Sequence, residues 1–62
     1  MNKSIVIADD NLALCNSVSD FINTKDGMQV VGIAQNGVQA LRLIDEYHPD
    51  FVLLDIVMPE LD

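Results

Sequence analysis

Two short apolar runs that each end in acidic residues are the feature that most constrains the fold of this chain. Residues 5–8 (IVIA) lead into Asp9 and Asp10, and residues 51–54 (FVLL) lead into Asp55. An uninterrupted apolar run of this length favours a strand buried on both faces, which is typical of a parallel sheet covered by helices. Because ligand sites of such sheets lie at the carboxyl ends of the strands, we expect the three acids to meet there.

The segments between these runs predict two helices and one more strand. Apolar residues recur at steps of three and four within residues 12–22, so this segment predicts an amphipathic helix capped by the Asx residues at 9–11. Residues 28–34 predict a strand, and the helical spacing in residues 38–47 indicates a second helix capped by Asn36. The order β-α-β-α-β predicts right-handed βαβ units and a doubly wound, flavodoxin-like parallel sheet with strand order 2-1-3.

The apolar positions also predict which residues line each helix face. The first helix is expected to place Cys15, Val18, Phe21 and Ile22 on one stripe. The second helix repeats apolar residues at Val38, Ala40, Leu41, Ile44 and Tyr47. Gly32 is a poor strand residue and indicates a close approach by a neighbouring element. Gly27 is expected to adopt a positive φ, and His48, which precedes Pro49, is expected to be a solvated helix cap.

Charge and cysteine content bear on partners and compartment. Ten acidic and three basic residues give a net charge of −7, which argues against nucleic-acid binding by this stretch. Cys15 is the single cysteine and cannot form an internal disulfide, so we expect a reducing, cytoplasmic compartment. The apolar run at 5–8 is too short for the core of a signal peptide or for a membrane span.

Three carboxylates at one sheet edge predict a site for a hard cation. If the strand order reverses between the first and third strands, Asp9, Asp10 and Asp55 converge on one crevice. Their mutual repulsion favours Mg²⁺, or another divalent cation such as Ca²⁺ or Mn²⁺, and the backbone carbonyl of Val57 is a further candidate ligand. Asp9 and Asp10 are the better metal holders. Asp55 is the better nucleophile towards phosphorus, which would give an aspartyl phosphate.

Three ordered motifs resemble the receiver domain of bacterial response regulators: residues 5–11 (IVIADDN), 32–37 (GIAQNG, followed by Ala40-Leu41) and 49–59 (PDFVLLDIVMP). The resemblance spans nearly the whole chain. It implies that Asp55 is the phosphoacceptor, Asp10 the direct metal ligand, Asp9 the second acid of the pocket and Val57 the carbonyl ligand. It also implies that a histidine kinase or a phosphotransfer protein donates the phosphate.

Within that family, the start and the end of the chain look closest to the sporulation regulators of endospore-forming bacteria. Such regulators act through an output domain that binds DNA, so the resemblance implies a role in transcription. A complete receiver domain has two further strands, which carry a Ser or Thr and a Lys at the phosphoryl group. We therefore expect residues 1–62 to form a receiver domain that is incomplete at its C-terminal side, with an uncovered sheet edge through which it self-associates.

Two other functions fit parts of the pattern. A metal-dependent aspartyl phosphotransferase or phosphatase also uses an Asp at a strand end, but it usually carries a second acid two residues later, where this chain has Val57. Alternatively, the chain is a structural α/β fragment whose acids only cap helices. The combined motifs favour a signalling module that is not itself an enzyme.

Overall fold

A computed structural model describes residues 2–54 as alternating strands and helices. The elements are β1 (Lys3–Ala8), α1 (Leu12–Asn23), β2 (Met28–Ala34), α2 (Gly37–Tyr47) and β3 (Phe51–Leu54). Both strand pairings are parallel, and the sheet order is β2-β1-β3. The predicted element order and strand order are confirmed. β1 begins earlier than its apolar run because the polar residues Lys3 and Ser4 also pair with β2.

β1 is the central strand and supplies most of the core. All four residues from Ile5 to Ala8 are buried. Because side chains of a strand alternate between its two faces, Ile5 and Ile7 pack with α1 on one face. Ala8 packs on the other face with Ala34 of β2 and Ala40 of α2. The core therefore has two layers, one beneath each helix.

β3 does not have the predicted burial. Phe51 is 53% exposed, Leu53 45% and Leu54 46%, so the expectation of a strand buried on both faces is wrong for residues 51–54. Within the described range, both helices pack on β1 and β2, and neither packs on β3. An apolar run indicates a strand whose side chains are suited to burial, but burial also requires another element that packs on them.

The predicted helix stripes are confirmed only in part. On α1, Cys15 and Ile22 are buried, but Phe21 is 63% exposed. Phe21 lies 100° around the helix from Ile22 and therefore faces away from β1 and β2. Its ring instead lies 4.5 Å from the Nζ atom of Lys25, in a cation–π contact.

On α2, the buried face is shifted from the predicted one. Ala40 is buried, whereas Val38, Leu41 and Tyr47 are exposed. Leu43, which the spacing argument left out, packs against the alanine cluster. The reason is the small side chains beneath the helix: a Cβ atom added to Gly32 would lie 3.1 Å from both Cδ atoms of Leu43. This contact confirms the close approach predicted at Gly32.

The predicted caps are also confirmed. Asn36 caps α2 by accepting a hydrogen bond from the N–H of Gln39 (2.9 Å). His48 ends α2 in the left-handed conformation (φ 47°) and donates its N–H to the Ile44 carbonyl (2.9 Å). Gly27 has a φ of 85° in the turn before β2, as predicted.

Ser4 and Asp50 connect the amino ends of β1 and β3. The Ser4 N–H donates to Asp50 Oδ2 (2.7 Å), and the Asp50 N–H donates to the Ser4 carbonyl (2.9 Å). The pairing of Ile5 with Phe51 follows directly after this contact. Across residues 2–54, no helix is both long enough and apolar enough to cross a membrane.

Candidate functional site

Asp9 and Asp10 lie just past the carboxyl end of β1, between the ends of its two neighbours. Ala8, the last residue of β1, pairs with Ala34 on one side and with Leu54 on the other. The three strands therefore end level with one another. Asp55 follows Leu54 directly in the sequence, but Asp55 and Val57 both lie outside the described residues. Of the predicted site residues, the structure thus describes Asp9 and Asp10.

The loop at residues 9–11, here called the acid loop, is anchored to both neighbouring elements. The Asp9 N–H donates to the carbonyl of Ala34 in β2 (3.0 Å). Oδ1 of Asp9 accepts a hydrogen bond from the Asn11 N–H (2.9 Å), and Oδ1 of Asn11 accepts one from the Leu14 N–H (3.1 Å). These bonds hold the acid loop between β2 and the first turn of α1.

The two acids differ in solvent exposure and in the hydrogen bonds that their carboxylates accept. Asp9 is half-buried and uses one carboxylate oxygen within the loop, whereas Asp10 is exposed. Both stand beside the N-terminus of α1, whose partial positive charge favours carboxylates. Their oxygens are hard donors of the type that Mg²⁺ and Ca²⁺ prefer, so the residues present fit a divalent cation. Among residues 2–54 there is no group of three or more His, Cys, Asp or Glu side chains that could hold a metal.

A cavity of about 330 Å³ lies beneath the acid loop, between α1 and β3. Asp9 contributes to its wall, together with Leu14 and Val18 of α1 and Leu53 and Leu54 of β3. The acid therefore stands at the edge of an otherwise apolar depression. Such walls lower the local dielectric and strengthen the field of a nearby carboxylate.

Cys15 also lines this cavity and contacts the acid loop from below. Its Sγ atom donates to the backbone carbonyl of Asp9 (3.5 Å). Burial, and next the negative charge of Asp9, raise the pKa of the Cys15 thiol above its ordinary value. The thiol therefore stays protonated at neutral pH and remains a donor. The sequence indicates only a core position for Cys15, because a contact across six residues between a side chain and a carbonyl leaves no periodic signal.

Comparison with known proteins shows which domain family the chain belongs to. The model of the response regulator receiver domain family matches residues 5–62. The uncharacterized transcriptional regulatory protein YhcZ of Bacillus subtilis is 48% identical over 58 residues, which cover 94% of this chain and 27% of that protein. Protein-glutamate methylesterase/protein-glutamine glutaminase 1 of Syntrophomonas wolfei is 42% identical over 60 residues, which cover 97% of this chain and 17% of that protein. Similar proteins thus include transcriptional regulatory proteins and a methylesterase.

A solved structure shows the same fold. The response regulator domain of Thermotoga maritima CheB superposes with a TM-score of 0.92 at 31% identity, covering the whole of this chain and 46% of that one. The flavodoxin-like class predicted from the element order is thereby confirmed. The chain spans about a quarter or less of the length of the two relatives described above. From its family match and its fold together, this chain belongs to the family of response regulator receiver domains.

Proposed function

We propose that this chain is the phosphoacceptor part of a two-component or phosphorelay response regulator, with Asp55 as the residue that takes the phosphate. The observation that carries the proposal is the pairing of Ala8 with Leu54. Asp9 and Asp55 are the next residues after this pair on their respective segments. Membership of the receiver family supports the same assignment.

The proposed metal site consists of Asp9, Asp10, Asp55 and the backbone carbonyl of Val57, and it takes Mg²⁺ or another divalent cation such as Ca²⁺ or Mn²⁺. All four ligands are oxygens, which suits these ions. When bound, the cation neutralises charge on the phosphoryl oxygens. Of the two acids in the acid loop, Asp10 is the exposed one and Asp9 is half-buried.

In the proposed transfer, a carboxylate oxygen of Asp55 attacks the phosphorus of a phosphohistidine on a histidine kinase or a phosphotransfer protein. An O–P bond forms to Asp55, the P–N bond breaks, and the imidazole of the donor protein keeps the bonding electron pair. Asp9 and Asp10 would hold the cation through the negative charge of their carboxylates. The product is an acyl phosphate on this chain.

We further propose that the phosphorylated state controls an output domain that binds DNA. Transcriptional regulatory proteins among the relatives support an output of this class. The net charge of −7 leaves DNA binding to another part of the protein. The narrower proposal is a sporulation regulator similar to stage zero sporulation protein A, acting in the cytoplasm, and it is supported by the motif resemblance at the two ends of this chain.

The uncovered β3 supports two structural proposals. Residues 1–62 are proposed to form the first half of a receiver domain whose remaining elements cover β3. Without that cover, the exposed side chains of Phe51, Leu53 and Leu54 and the open edge of β3 are proposed to promote self-association.

Phosphorylation of variants tests the acceptor. Residues 1–62 are joined to the matching C-terminal half of the Thermotoga maritima CheB receiver domain, and this chimera is incubated with a small acyl phosphate and Mg²⁺. Mass spectrometry should find one labile adduct, on Asp55, that is lost in Asp55→Asn and kept in the control Asp45→Asn. An adduct at full yield in Asp55→Asn rejects the assignment. Continuous turnover of the donor would instead favour a phosphatase.

A further inference from the structure

Cys15 connects the first turn of α1 to the backbone of the acid loop. Side chains of a helix point towards its N-terminus, which here brings the thiol under Asp9. Sγ lies 3.5 Å from the Asp9 carbonyl oxygen, and the Cys15 side chain is fully buried. We propose that Cys15 is a positioning residue, which orients the Asp9–Asp10 peptide and thereby directs the Asp10 carboxylate towards the cation.

The geometry of the peptide bond makes this link direct. The carbonyl oxygen of Asp9 and the nitrogen of Asp10 belong to one planar peptide unit. A hydrogen bond to the oxygen therefore restrains the orientation of this peptide, and with it the direction in which the Asp10 side chain points. The preceding peptide is restrained as well, because the Asp9 N–H donates to the Ala34 carbonyl (3.0 Å). Hydrogen bonds on both sides of Asp9 therefore define its backbone conformation.

The other end of the acid loop is restrained independently. The Asn11 N–H donates to Asp9 Oδ1 (2.9 Å), and the Asn11 carbonyl accepts from the Cys15 N–H (3.0 Å). Asp10 lies between two anchored residues while its own side chain stays exposed. Cys15 thus contributes twice to the loop, through its backbone N–H and through its thiol. Only the second contribution depends on the identity of the side chain.

A packing role alone does not require the thiol. Cys15 belongs to a cluster with Ile5, Ile7 and Ile22, and any small apolar residue would preserve part of that packing. Replacing Cys15 by Ala removes the donor but keeps an apolar group. Replacing it by Ser keeps a donor but buries a more polar group, which costs stability. If Cys15 only packs, Cys15→Ala should resemble wild type more closely than Cys15→Ser does. If Cys15 positions the Asp9–Asp10 peptide, Cys15→Ser should resemble wild type more closely.

The first measurement needs no metal. The ¹³C resonance of the Asp9 carbonyl and the ¹⁵N resonance of the Asp10 amide are compared in wild type, Cys15→Ala and Cys15→Ser, all in the CheB chimera. Both resonances should move in Cys15→Ala and stay near the wild-type positions in Cys15→Ser. Equal positions in all three proteins, or equal displacement in both variants, would overturn the proposed role.

The second measurement is the affinity for Mn²⁺, and it rests on the proposed metal site. Loss of partners that orient metal ligands typically weakens metal binding by about 10–100-fold. Because a thiol is a weak donor, Cys15→Ala should weaken Mn²⁺ binding less, by about threefold to tenfold. Cys15→Ser should bind within about twofold of wild type, although its urea midpoint falls further than that of Cys15→Ala. Affinities that follow the urea midpoints instead would show a packing role only. Wild type without Mn²⁺ binding would overturn the proposed metal site, and the peptide resonances then decide on Cys15 alone.

Discussion

At the scale of single residues, the contact between Ser4 and Asp50 sets how β3 joins the sheet. The Asp50 carboxylate accepts hydrogen bonds from the N–H and the hydroxyl of Ser4 (2.7 and 3.3 Å). The Asp50 N–H returns bonds to the Ser4 carbonyl and hydroxyl oxygens (2.9 and 3.1 Å). The bond from the Ser4 N–H is the largest cause of a lowered Asp50 pKa, with smaller contributions from the Ser4 hydroxyl and the charge of Lys3. Together these bonds fix the start of the β1–β3 pairing.

This contact predicts a pH dependence of stability. Because the pKa of Asp50 is lower in the folded chain than its ordinary value of 3.8, the contact stabilises the fold above that pH. The stabilisation is lost as the pH falls from 3.8 through the folded pKa. Asp50→Asn should remove this part of the acid sensitivity when the urea midpoint of the CheB chimera is followed against pH. Asp45→Asn, at an exposed acid on α2, should keep it, and equal pH slopes in wild type and Asp50→Asn would contradict the prediction.

The close approach of Gly32 to Leu43 gives a second prediction for individual residues. A valine at position 32 would overlap the Leu43 side chain, since even a single Cβ atom there lies 3.1 Å from it. Overpacking of this kind costs about 1–3 kcal/mol. Gly32→Val should therefore lower the free energy of unfolding, and adding Leu43→Ala should recover part of the loss. A double-mutant cycle in urea, carried out in the CheB chimera, measures the coupling, and strictly additive effects would show that the two side chains do not interfere.

At the scale of elements, both helices begin with an asparagine that makes the same kind of cap. Asn11 accepts from the Leu14 N–H (3.1 Å), and Asn36 accepts from the Gln39 N–H (2.9 Å). The surroundings differ, because Asn11 also donates its backbone N–H to the Asp9 carboxylate. One cap therefore belongs to the acid loop, and the other has a structural role in α2.

This pair of caps provides matched variants. Asn11→Ala and Asn36→Ala should each lower the free energy of unfolding by about 1 kcal/mol, since each leaves a helical N–H without its side-chain acceptor. Asn11→Ala alone should also weaken Mn²⁺ binding, because the acid loop loses the cap that ties it to α1. Calorimetry in the CheB chimera measures both affinities. A similar loss in Asn36→Ala would mean that the affinity reports general stability and not loop geometry.

At the scale of the whole molecule, the described apolar surface is buried beneath the two helices and exposed on β3. Beneath α1 and α2 the sheet is buried, while Phe51, Leu53 and Leu54 of β3 remain exposed. A chain of this length buries only about 60% of its unfolded surface. Leaving three apolar side chains exposed therefore removes a substantial part of its hydrophobic stabilisation. The small core leaves only a few kcal/mol of net stability at most.

We therefore expect the 62-residue chain alone to unfold with weak cooperativity and to associate. Leu53→Lys should reduce association in sedimentation without lowering the thermal midpoint of the monomer, because Leu53 is 45% exposed. In the CheB chimera, where further elements cover β3, the same change should destabilise the protein. Ile7→Lys, at a buried position of β1, should unfold both forms. A sharp thermal transition of a monomer in circular dichroism, with or without Mg²⁺, would contradict this prediction.

What the sequence by itself determined is the local structure and the order of the elements. Short apolar runs, helical spacing and Asx caps act over a few residues, so β2 and the cap of α2 were predictable at their observed bounds. Right-handed crossovers then limited the strand order, which placed Asp9 and Asp10 at the carboxyl edge beside the end of β3. These features depend on neighbours along the chain.

Only the tertiary structure decided which apolar side chains are buried and which polar contacts form. Ile5 and Phe51 pair across the sheet, yet one is buried and the other exposed, because α1 covers β1 and not β3. Ser4 and Asp50 are 46 positions apart, and the Cys15 thiol meets a backbone carbonyl. Neither contact has a sequence period. Burial and long-range hydrogen bonds are properties of two elements at once, and the position of the second element is known only after the chain has folded.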